Sequence, residues 1–112
     1  MNPCKRGEIW TVNFNPGRGS EQKAIRPALI IQNDIGNQYA STTIVAAMTT
    51  TIKKYPVTVT VPKGKSGLKG ESMVNLAQIL TIAKERLVRR VGTLETDKML
   101  EVDEAIKISL GT

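Results

Sequence analysis

Polar and apolar side chains alternate through Glu8-Ile9-Trp10-Thr11-Val12-Asn13-Phe14. A period of two, rich in β-branched and aromatic residues, predicts a half-buried strand. Asn15-Pro16-Gly17 ends it, and residues 15–25 read as a polar loop. Pro27-Ala28-Leu29-Ile30-Ile31 is a short continuous apolar run, the pattern of a strand buried on both faces. Thr43–Thr49 and Pro56–Val61 predict two further strands, the second alternating Val with Thr. Ser72–Asn75 and Gln78–Ile82 predict two short ones, followed by a helical turn at Ala83-Lys84-Glu85-Arg86. Strands at this spacing suggest a closed barrel. From Thr96 the period changes: Met99, Val102, Ile106 and Leu110 recur at three- and four-residue steps, with Thr96 as the expected N-cap and Gly111 as the stop. The opposite face of this helix carries Asp97, Glu101, Asp103 and Glu104, which predicts a solvated acidic surface.

With 112 residues and 40% hydrophobic side chains, the chain is expected to form one domain over residues 1–112 around a single core. No apolar run approaches the roughly 20 residues of a membrane span, and no hydrophobic leader follows Met1, so a cytoplasmic address is expected. Cys4 is the one cysteine; it reads as an incidental terminal thiol. The net charge of +6 is uneven: residues 1–94 hold 14 basic and 5 acidic side chains, residues 95–112 hold 2 and 5. Lys53, Lys54, Lys63, Lys65 and Lys69 fall in one window without an acidic residue. Such clustering suits a polyanionic partner, because each phosphate neutralised releases condensed counterions.

There is no histidine, so nucleophile–histidine and two-histidine ribonuclease mechanisms are excluded. Glu8, Glu21, Asp34, Glu71 and Glu85 are well separated in sequence and form no obvious metal-binding set. Neither a GxxxxGK[ST] nor a GxGxxG motif is present, so no nucleotide cofactor is expected. Arg, Lys, Thr, Ser and Glu remain, and they suit a reaction that supplies its own nucleophile. RNA does so with its ribose 2′-OH. A guanidinium can hold a phosphate through two parallel hydrogen bonds, and a threonine hydroxyl can donate to another oxygen.

The stretch Gly19-Ser20-Glu21-Gln22-Lys23-Ala24-Ile25-Arg26-Pro27, preceded by Arg6-Gly7-Glu8-Ile9-Trp10 and followed by Leu29-Ile30-Ile31-Gln32-Asn33-Asp34, closely resembles the signature of the MazF/PemK toxins. The resemblance continues through Ile44–Thr49, Gln78–Ile82 and Val102–Gly111 and thus spans nearly the whole chain. It looks closest to the branch found in Gram-positive bacteria. The resemblance implies a mainly β, SH3-like barrel with a C-terminal α-helix, a homodimer, and sequence-specific, metal-independent cleavage of single-stranded RNA, leaving 2′,3′-cyclic phosphate and 5′-OH ends. It also implies a MazE-like antitoxin whose acidic, hydrophobic segment occupies the RNA groove. Carried onto matching positions, the catalytic residues are Arg26, Thr49 and, as a proposed general base, Glu21. Ser20, Gln22 and Gln78 fall where relatives contact RNA, and the basic Lys53, Lys54, Lys65 and Lys69 are added from the charge pattern.

Without its flanking motif Arg26 reads as a surface arginine held extended by Pro27. A one-residue shift in the run Thr49-Thr50-Thr51 would present Thr50 instead, because alternate strand residues face opposite sides. A carboxylate of ordinary pKa near 4 is a weak general base, so Glu21 also reads as a solvated loop residue. Trp10 and Phe14 share one strand face and are expected in the barrel core rather than as stacking platforms. Many relatives carry glycine where Ala24 stands, and alanine resists positive φ. The loop Lys63–Lys69 is expected to be mobile and to hold the phosphate backbone. Two rival functions share these features: a non-catalytic nucleic-acid-binding barrel, and a gyrase-inhibiting toxin of the same fold.

Overall fold

A computed structural model describes residues 3–14, 25–64 and 66–112. The expected sites Ser20, Glu21, Gln22 and Lys65, together with Ala24, lie outside the described residues. In chain order the elements are β1 (Glu8–Asn13), β2 (Ile25–Ile30), α1 (Asp34–Tyr39), β3 (Thr42–Thr49), β4 (Thr58–Val61), β5 (Ser72–Ala83), a 3-10 turn (Lys84–Arg86), β6 (Leu87–Thr93) and α2 (Thr96–Leu110). The described strands form one antiparallel sheet in the order β4-β5-β3-β2-β1-β6.

The sheet is buried on both faces at its centre. Ile9, Leu29, Ala46 and Met48 join Val59, Val61, Val74 and Leu76 under Val102 and Ala105 of α2. On the other face Trp10, Val12, Ala28, Ile30 and Val45 pack with Cys4, Ile82 and Leu87. Alternation explains the division: Ile9 pairs with Leu29, and its neighbour Trp10 pairs with Ala28 on the opposite side. β1 is therefore buried on both faces rather than half-buried as its pattern predicts. Cys4 is no incidental tail thiol either; it belongs to the second cluster. Burial pushes its thiol pKa up, against smaller opposing effects of the Thr43 hydroxyl and the Lys84 ammonium.

β4 and β6 stand at the two ends of the sheet, and the β4–β5 connection bridges them. A Cβ on Gly92 would overlap the Ser66 carbonyl oxygen, and one on Gly67, at φ 85°, would overlap that of Val91. Only glycine permits this approach. The basic loop expected to be mobile is thus anchored: Ser66 is buried and the Gly67 N–H donates to the Gly64 carbonyl at 2.9 Å.

Several elements depart from their sequence pattern. β2 begins at Ile25 rather than Pro27, and β4 at Thr58 rather than Pro56. The two short strands expected over 72–82 are one twelve-residue strand, β5. α1 and β6 are additional. α1 is only six residues long, with Gly36 at its centre. Its support is polar: the Asn33 side chain caps the Gly36 N–H at 2.9 Å, and buried Asn37 accepts from Thr43 Oγ1 at 2.7 Å. β6 carries Val88-Arg89-Arg90 exposed in succession and shows no clean period. In α2 the N-cap is Glu95, whose side chain makes no capping bond to the helix, so Thr96 is already helical. Leu110, expected on the buried face, is exposed. Asp103 is not simply solvated, because it pairs with Arg6.

Candidate nucleic-acid interface

Arg26 sits on β2, where Pro27 keeps the backbone extended, and it pairs with Val12 of β1. β2 pairs with β3 through Ala28↔Ala47. The ladder ends there; Arg26 lies two residues beyond Ala28 on β2 and Thr49 two residues beyond Ala47 on β3, so strand alternation puts each on the same face as its alanine. Thr50 follows the last residue of β3 and is exposed.

Beside Arg26 lies a cleft of about 460 Å³ lined by Phe14, Arg26, Ala47, Ala77, Gln78, Ile79 and Leu80. An interruption in β5 creates it. Ala46 pairs with Ile79, yet the next residue, Ala47, pairs with Asn75, leaving Leu76, Ala77 and Gln78 outside the ladder. Leu76 turns into the core, while Ala77 and Gln78 are exposed. The Asn75 Oδ1 accepts the Ala77 N–H at 3.0 Å, and the Leu76 N–H donates to the Val57 carbonyl at 2.8 Å. These bonds satisfy backbone groups that the ladder abandons. The result is an apolar slot with an amide at Gln78 and a guanidinium at Arg26.

Thr49 is half-buried, and its Oγ1 accepts the Thr51 N–H at 3.1 Å, which leaves the hydroxyl proton available to donate elsewhere. Lys53 and Lys54 are exposed just beyond it; the Lys53 N–H approaches the sulfur of Met73 at 3.3 Å, and Met73 pairs with Thr49. The structure therefore brings Arg26 and Gln78 into one cleft and places Thr49 and Lys53 on the adjoining edge. Lys69 is exposed on the anchored β4–β5 connection. In that same connection Lys63 borders a different cleft, with Glu95 and Lys98 at the start of α2. The basic window is thus split.

Phe14, expected in the core with Trp10, is half-buried and lines the cleft, whereas Trp10 is buried. The floor residues Ala47 and Ala77 carry no chemistry that composition would flag. Asn75, a strand-breaking residue between apolar neighbours, was the available signal for the interruption.

A larger concavity of about 670 Å³ includes Cys4, Glu8, Asp34, Asn37, Lys84 and Arg90 in its lining. Its polar groups are engaged with one another. Glu8 accepts from the Lys5 N–H at 2.9 Å, the Trp10 indole at 3.0 Å and Arg90 at 3.1 Å, and the buried Lys84 ammonium donates to the Asn37 carbonyl. Asp34 accepts the Arg6 N–H at 2.7 Å and an Asn37 amide N–H at 3.2 Å, which holds its carboxyl below the usual range. Such mutual pairing is what buried polar groups require for folding. Among the described residues, no three His, Cys, Asp or Glu side chains converge as a metal site. No described helix is long and apolar enough to cross a membrane.

Comparison with known proteins shows the family and the fold. Residues 5–110 match the family described as PemK-like, MazF-like toxin of type II toxin–antitoxin systems. A MazF structure from Deinococcus radiodurans is similar over 100% of both chains, at 25% identity and a TM-score of 0.80. A mycobacterial endoribonuclease in complex with its cognate antitoxin is 25% identical, with 96% of this chain and 95% of that one covered and a TM-score of 0.80. A second mycobacterial endoribonuclease, at 24% identity, shares the fold over 99% of this chain and 94% of its own, with a TM-score of 0.81. With a match across almost its whole length, the chain belongs to the PemK-like, MazF-like toxin family of type II toxin–antitoxin systems.

Proposed function

We propose that this protein is a toxin endoribonuclease that cuts single-stranded RNA at short specific sequences, by attack of a ribose 2′-OH on the adjacent phosphate. The observation that carries this reading is the Arg26 guanidinium at the edge of an apolar slot that also presents Gln78. The slot offers Phe14 and Leu80 as apolar contacts for a base, and single-stranded bases stack on such surfaces. Arg26 stabilises the charge that builds on the phosphate oxygens. The Thr49 hydroxyl donates to the scissile group. The nucleophile belongs to the substrate, so the reaction needs no metal ion or cofactor and gives 2′,3′-cyclic phosphate and 5′-OH ends. Glu21 as general base, and Ser20 and Gln22 as RNA contacts, rest on the sequence motif alone. Lys53, Lys54, Lys65 and Lys69 supply phosphate attraction.

Family membership supports the assembly in this reading: a cytoplasmic homodimer of one-domain chains, held inactive by a MazE-like antitoxin. The mycobacterial relative solved with its cognate antitoxin supports that partner, and the basic body of this chain suits an acidic peptide.

The test is incubation of purified protein with long unstructured RNA in EDTA, with cut sites and end groups mapped and Arg26→Ala purified alongside. Recurrent cuts at one short motif, ending in cyclic phosphates and reduced in the variant by 100-fold or more on the scale of a removed charge-stabilising donor, are expected. RNA bound but never cut would make this a binding module; neither binding nor cutting would direct attention to gyrase.

A further inference from the structure

The wall of the Arg26 cleft is held from behind by the last turn of α2. The Ser109 hydroxyl donates to the Leu76 carbonyl at 2.6 Å. Leu76 is the first of the three β5 residues outside the ladder, and Ala77 and Gln78, the next two, line the cleft. The Leu76 side chain is fully buried in the cluster that contains Val102 and Ala105 of the same helix. Its N–H is taken by the Val57 carbonyl, and the following N–H by the Asn75 side chain. Both backbone groups of Leu76 are therefore engaged from outside its own strand, and Ser109 supplies one of those anchors.

We infer that Ser109 is a positioning residue for substrate selectivity: through the Leu76 carbonyl it fixes the displaced segment and hence the location of Gln78 relative to Arg26. This inference rests on the ribonuclease reading above. The Ser109 hydroxyl bonds to the carbonyl of Leu76, which is not among the residues lining the cleft, so its influence passes through backbone. A segment freed from the ladder lacks the regular hydrogen bonds that hold a strand to atomic register, so its few anchors decide where its side chains point.

The test compares Ser109→Ala with Ser109→Thr, which keeps a hydroxyl. Two readouts are taken: amide hydrogen exchange at Leu76 and Ala77, and the ratio of cleavage rates at RNA sites that differ by one base beside the scissile bond. A ratio is insensitive to the fraction of folded enzyme. In Ser109→Ala the Leu76 and Ala77 amides should exchange roughly fivefold faster, as the loss of one ordinary hydrogen bond allows, while those of Ile9 and Leu29 stay as they were. The cleavage ratio should move by a similar factor, and Ser109→Thr should restore both. A ratio within twofold of the unmodified protein overturns the inference, whatever happens to the overall rate. If the unmodified protein cuts no RNA, the ribonuclease reading fails instead, and the exchange measurement still decides whether Ser109 holds the segment.

Discussion

The Arg6 guanidinium stands 2.7 Å from the Asp103 carboxylate and, through Nε, donates to the Ile31 carbonyl at 2.9 Å. One side chain thus ties the segment before β1 to the residue after β2 and to α2. The pair is 30% and 40% exposed, so solvent screening limits the ion pair itself to about 0.5–1 kcal/mol. Arg6→Ala also strips a partner from the Ile31 carbonyl and should cost about 1–2 kcal/mol in urea denaturation. A double-mutant cycle with Asp103→Ala should return a coupling of about 0.5–1 kcal/mol; zero coupling would reduce the pair to mere proximity.

Acid sensitivity should centre in part on Asp34. Its carboxyl is lowered by the Arg6 backbone N–H first and the Asn37 amide second. A depressed folded-state pKa means that the unfolded chain takes up the proton first as pH falls. The contribution is therefore complete above the unfolded value, near 3.9, and disappears as pH drops through the lower folded value. Thermal melts of the unmodified protein and Asp34→Asn should differ at pH 6 and converge below pH 4. A constant offset across that range would place the effect elsewhere.

At Gly92 a methyl group would enter the Ser66 carbonyl. Because the clash is with backbone on both sides, no rotamer change relieves it. Gly92→Ala should cost more than about 3 kcal/mol, beyond ordinary overpacking, and should appear as a large drop in Tm or as insoluble protein. Gly70→Ala, where a Cβ meets open space, is the matched control and should melt near the parent temperature.

The split of the basic window makes a prediction about salt. Lys53 and Lys54 lie beyond Thr49, whereas Lys63 borders the cleft at the start of α2. Replacing Lys53 and Lys54 by alanine should reduce the slope of log K against log salt for a single-stranded RNA by roughly 0.7 for each phosphate that is no longer neutralised. Lys63→Ala should leave it unchanged. Equal effects would mean that the RNA path runs over both regions.

Period-two segments were legible directly: β1, β3 and the paired core of β2 follow from side-chain alternation and apolar runs, because burial of one or both faces dictates which residues can stand there. α2 was equally legible from its three- and four-residue steps, with Gly111 ending it in the left-handed conformation. β6 was not, since its Val88-Arg89-Arg90 stretch at a sheet end is exposed at three successive positions, so neither face is buried there and no alternation appears. α1 escaped because polar bonds hold it in place of an apolar stripe: Asn33 caps the Gly36 N–H locally, and Asn37 accepts from Thr43 at the start of the next strand.

The family resemblance carried by the motif around Arg26-Pro27, together with the charge pattern, pointed to the candidate chemistry from the sequence; without that motif Arg26 reads as a surface arginine ahead of a proline. What surrounds that guanidinium was decided by the tertiary structure. Phe14, Ala47 and Ala77 line the cleft where β5 leaves its ladder for three positions, and besides the local Asn75 side chain the displaced segment bonds to long-range partners, the Val57 carbonyl and the Ser109 hydroxyl. Hydrogen bonds across 19 and 33 residues of chain leave no local period in the sequence, because their energy depends on where distant backbone arrives in space and not on the spacing of side chains along a strand.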